Sequence, residues 1–126
     1  MIRQFARDFM RALAGEATDL LGPSIGIEIV EQDDRRLVTL SERRQVVVDK
    51  RFGTVKCGTK VLALFDAIQS IDIQHQHDDG GTEAWNVSLY LSWYARVQIG
   101  RTGDATEASI VAARLSTITG KKVLAL

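Results

Sequence analysis

A chain of 126 residues, 45% hydrophobic and 25% charged, can bury a core without help from disulfides or metal. Sixteen Lys and Arg balance sixteen Asp and Glu, so the basic excess that phosphate-reading proteins carry is missing and nucleic acid is disfavoured as a partner. The one cysteine, Cys57, excludes an intramolecular disulfide framework, and charge interrupts every apolar run of the first eight residues, unlike a signal peptide. No stretch approaches the roughly 18 apolar residues of a membrane span, and the cytoplasm is the expected compartment.

Residues 1–22 read as an amphipathic helix. Ile2, Phe5, Phe9, Leu13, Ala17 and Leu20 recur at three- and four-residue steps, and Gly22-Pro23 punctuates the end. From Ser24 the period changes to two, and residues 24–102 read as a meander of short antiparallel strands. Ile25, Ile27 and Ile29 alternate with polar or small neighbours, and Glu31-Gln32-Asp33-Asp34 is a turn. Leu37 and Thr39 alternate with Arg36, Val38 and Leu40. Ser41-Glu42-Arg43-Arg44 then reverses the chain into Val46-Val47-Val48, and Phe52-Gly53 reverses it again into Thr54-Val55-Lys56-Cys57. The apolar run Val61-Leu62-Ala63-Leu64-Phe65 fits either a strand or a helical turn.

Ile68, Ile71 and Ile73 lead into a strand ending at His75-Gln76-His77, and Asp78-Asp79-Gly80-Gly81 is the strongest hairpin signal in the chain. The following strand places Trp85, Val87, Leu89, Leu91 and Trp93 on one side, with Asn86, Ser88, Tyr90, Ser92 and Tyr94 on the other. Val97 and Ile99 continue in a further strand. Asp104 and Glu107 have capping-box spacing at the start of a helix over 104–120. Its core face is Ala108, Val111, Ala112, Leu115 and Ile118, and Gly120 closes it. Val123-Leu124-Ala125-Leu126 is a short apolar tail able to add a last strand. The expected fold is therefore one α+β domain over 1–126: an antiparallel sheet or split barrel of about six to eight short strands between an N-terminal amphipathic helix and a capped C-terminal helix.

Four segments carry a family resemblance: Gln45-Val46-Val47-Val48-Asp49, Leu64-Phe65-Asp66-Ala67-Ile68, Trp85-Asn86-Val87-Ser88-Leu89 and Asp104-Ala105-Thr106-Glu107-Ala108. In this order they resemble small bacterial proteins of the pleckstrin-homology-like type, over about residues 35–122. Leu64 stands where those proteins carry a proline, and the N-terminal helix has no counterpart in them. The resemblance implies a binding or assembly module and supplies no site.

Candidate chemistry is sparse. His75 and His77, two apart on a strand, lie on one face with their backbones about 6.5–7 Å apart, and Asp79 is the candidate third ligand of an open metal site. Cys57 has no partner residue nearby in sequence to make it a nucleophile. Gly100-Arg101-Thr102-Gly103-Asp104, running from strand to helix, suits an ordinary cap better than an anion cradle, because Asp104 competes for the helix N–H donors. Arg3, Arg7 and Arg11 form a basic row that permits contact with a membrane surface, although Asp8, Glu16 and Asp19 share that surface and would be repelled by anionic lipid.

Trp85, Tyr90, Trp93 and Tyr94 make the best candidate binding surface, since such side chains offer large area with a polar tip. The leading expectation is a non-enzymatic module that binds a protein partner or self-associates, with no cofactor. The alternatives are a small-ligand or metal-binding protein using the hairpin end from His75 to Asp79, and a secretion-chaperone-like dimer.

Overall fold

A computed structural model describes residues 26–77 and 80–126. The helix expected over 1–22, with Arg3, Arg7 and Arg11, lies outside the described residues, as does Asp79. The described chain is α+β, with two sheets rich in antiparallel pairs and one helix in its C-terminal part.

The first sheet is a sequential meander. Strands β1 (Glu28–Gln32), β2 (Arg36–Ser41), β3 (Arg44–Asp49), β4 (Thr54–Cys57) and β5 (Lys60–Leu64) each pair antiparallel with the next. Its turns follow from local chemistry. The Asp33 carboxylate accepts hydrogen bonds from the backbone N–H groups of Arg35 and Arg36 at 2.7 and 2.8 Å, folding the chain back between β1 and β2. Between β2 and β3, Ser41 pairs with Arg44, and the two central residues take positive φ, 52° at Glu42 and 64° at Arg43. Gly53 supplies a φ of 64° before β4. The ambiguous apolar run proves to be both alternatives in succession: β5, then a single 3₁₀ turn over Phe65–Ala67.

The second sheet holds β6 (Ser70–His77), β7 (Glu83–Ser92), β8 (Ala95–Thr102) and β9 (Val123–Ala125), in the order β8-β7-β6-β9. The apolar tail is thus a strand, and it joins β6 in parallel. The helix α1 (Ala105–Thr119) connects β8 to β9 and packs across β6, β7 and β8, reaching β2 and β3 of the other sheet. Its buried residues are Ala108, Val111, Ala112, Leu115 and Ile118. They meet Leu37, Val46, Val48 and Val55 from the first sheet and Ile71, Val87, Leu89 and Ile99 from the second in one core.

The helix ends match their sequence signals with one correction. Asp104 accepts from the Thr106 N–H at 2.9 Å, and Gly120 closes the helix at φ 75°. Glu107 does not complete the expected capping box. The Asp104 N–H donates instead to the Thr102 hydroxyl at 3.1 Å, while Glu107 Oε1 accepts from the Ile27 N–H at 2.5 Å. With its own cap donor already satisfied, the Glu107 carboxylate ties the start of the meander to the first turn of α1.

Candidate functional site

The β6–β7 ladder sets the placement of most candidate residues. Along β6 the odd-numbered side chains share one face. Ile71 is fully buried, Ile73 packs against the core, and His75 and His77 follow at the exposed end of the strand. On β7, His75 pairs with Trp85 and His77 with Glu83. The indole of Trp85 stacks on the His75 ring, with centroids 4.7 Å apart and planes 13° from parallel. The two imidazoles lie 4.5 Å apart, centroid to centroid. Glu83 Oε1 sits 3.6 Å from His75 Nε2 and 4.0 Å from His77 Nδ1. His75 and Trp85 also border a cavity of about 250 Å³, completed by Ile73, Ala105, Ser109, Ala125 and Leu126.

Glu83 was not among the candidates, because its position depends on hairpin register. A connection of five residues puts Glu83 opposite His77 and on the same face. A register one residue different would send it to the other face of the sheet. The Asp-Asp-Gly-Gly run signals a turn without stating which residue pairs close it.

The even-numbered face carries a polar network. The carboxylate of Asp72, buried in mid-strand, accepts from the Ser70 hydroxyl at 2.7 Å and from Arg96 at 2.6 Å. The Arg96 guanidinium lies over the Tyr90 ring, 5.1 Å from its centroid, and Gln98 donates to Asn86 at 2.9 Å beside it. Tyr90 is therefore half-buried and engaged within the sheet.

Trp93 and Tyr94 are placed differently. Strand β7 ends at Ser92, which pairs with Ala95, so the two aromatics are the central residues of the β7–β8 turn and not its alternating continuation. Trp93 is 86% exposed and Tyr94 76%, their rings meeting edge to face with centroids 5.2 Å apart. The four aromatic candidates thus divide: Trp85 lies against the core edge, Tyr90 under an arginine, and Trp93 with Tyr94 at an exposed tip.

The remaining candidates are not brought together. Cys57 closes β4, paired with Lys60, in the sheet that contains neither histidine. In the segment before α1, Gly100 is buried and the Asp104 carboxylate occupies the helix N–H of Thr106, the arrangement of a cap. Among the described residues no helix is long and apolar enough to cross a membrane. No protein-family model matches the chain, and no curated protein or solved structure matches it either.

Proposed function

We propose that the protein is a non-enzymatic interaction module that engages a protein partner through the Trp93–Tyr94 tip of the β7–β8 hairpin. The observation that carries this reading is the pair of large aromatic side chains left in water at a tight turn. Burying one such side chain is worth about 1.5–3 kcal/mol. Trp and Tyr present that area on few rotatable bonds, with an indole N–H and a phenol O–H to pair inside an interface. The tip Ser92-Trp93-Tyr94-Ala95 has no Lys or Arg, and the guanidinium of the adjoining Arg96 is already bonded to Asp72, so the electrostatic attraction that would favour anionic lipid is weak there. Balanced net charge argues likewise against nucleic acid. The pleckstrin-homology-like resemblance belongs to this reading as its expectation about family.

The test is the double substitution Trp93→Ala and Tyr94→Ala in pull-downs from native lysate, read by mass spectrometry and followed by calorimetry with the recovered partner. We expect a reproducible partner with the native chain and affinity at least 100-fold lower in the variant, with no change in melting temperature. If the variant recovers the same proteins with the same affinity, the tip is not the binding surface. Sedimentation velocity on both proteins identifies the case in which the partner is a second copy of the chain.

A further inference from the structure

We propose that His75, His77 and Glu83 form a binding site for one divalent transition-metal ion of the zinc, nickel and copper class. The site stands on observations separate from those at the Trp93–Tyr94 tip, at the opposite end of β7.

One ligand atom from each of the three side chains lies within 4.8 Å of the other two. In a tetrahedral zinc site with bonds of 2.0–2.1 Å, ligand atoms stand about 3.3 Å apart. Glu83 Oε1 and His75 Nε2, at 3.6 Å, are already near that spacing, and Glu83 Oε1 and His77 Nδ1 lie 4.0 Å apart. The side chains of His77 and Glu83 are 59% and 51% exposed, so small rotations about their χ angles can close the remaining gap toward His75. The backbone beneath is fixed, because the ladder pairs His77 directly with Glu83 and His75 with Trp85. Stacking on the indole of Trp85 also holds the plane of the His75 ring. The site is thus rigid where the strands hold it and adjustable where the ligand atoms must converge.

The donor set selects the ion. Two imidazoles with one carboxylate suit zinc, nickel and copper, whereas magnesium and calcium take oxygen ligands. Three protein ligands on an exposed strand end leave the remaining coordination positions to water.

The test uses the full chain, stripped with chelator, and Zn²⁺ or Ni²⁺ alone as the probe. Calorimetry should show one saturable equivalent of either ion and no response to Mg²⁺. Glu83→Gln keeps the size and strand position of the side chain while removing the anionic ligand. It should weaken binding at least tenfold, as should His77→Ala. The second readout is optical: in a Trp93→Phe background Trp85 is the single indole, and Ni²⁺ held on the stacked His75 should quench it. That quench should vanish in Glu83→Gln, whose circular dichroism should match the parent. Absence of saturable one-equivalent binding in the native chain would overturn the proposal. So would Glu83→Gln binding within twofold of the native protein, or a tenfold loss confined to Asp79→Asn.

Discussion

Thr39 sits fully buried on β2, between Leu37 and Ser41 on the side of the strand that faces the core, and its hydroxyl has no hydrogen-bond partner among the described residues. A buried hydroxyl without a partner loses its hydration and gains nothing in return. Replacing Thr39 with Val keeps the shape and removes that loss, so the substitution should raise stability by about 1 kcal/mol. Urea denaturation checks this through a higher midpoint at unchanged slope. Asp72 is the opposite case, a buried carboxylate with two donors in place. Neither residue announces its state in the sequence. The alternation of β2 puts Thr39 on the same side as Leu37 without saying which side meets the core or whether a donor or acceptor stands across from it. Asp72 lies on the face that alternation assigns to solvent, and Arg96 bonds it there from β8, 24 residues away.

Elements held by local interactions were legible, and those fixed by pairing between distant segments were not. The helix α1 follows from its cap residues and a 3.6-residue apolar period, both contained within the 17 residues from Asp104 to Gly120. The turns at Asp33 and Gly53 follow from side-chain and glycine chemistry at single positions. Glu107 looked like part of a capping box, yet its partner is Ile27, 80 residues earlier. Glu83 was missed for the related reason that a register is a property of two strands together. The β2–β3 turn is a third case. Its position was clear, but Glu42 and Arg43 are unusual occupants of two successive positive-φ sites that ordinarily select Asn and Gly. Left-handed backbone costs non-glycine residues on the order of 1 kcal/mol each. The pair Glu42→Asn with Arg43→Gly should therefore stabilise the protein by about 1 kcal/mol, seen as a higher melting temperature in calorimetry.

At the scale of the whole molecule, the two sheets meet where β8 lies against β2 and against Ile27, the residue before β1. A Cβ added at Gly100 would lie 2.7 Å from Ile27 Cγ1 and from both Cβ and Oγ of Ser41. The glycine is there because the strands approach too closely for any side chain. Around it Arg44 donates to the Gln98 carbonyl at 2.6 Å, and Arg101 N–H reaches Ser41 Oγ at 3.4 Å. Gly100→Ala must push the sheets apart and should cost roughly 1–3 kcal/mol. Gly103→Ala, whose new methyl would have its nearest neighbour at 3.9 Å, should be near neutral by the same denaturation measurement.

The parallel pairing of β9 with β6 differs from every other strand pairing among the described residues in joining segments far apart in sequence. Every antiparallel pairing of the two sheets closes a connection of two to five residues, whereas Ile71 and Val123 pair across 51 intervening residues that include two strands and the helix. Loop-closure entropy rises with the intervening length, and pairings distant in sequence form slowly. The antiparallel hairpins of both sheets are therefore favoured to assemble early, and docking of β9 is the step that completes the second sheet.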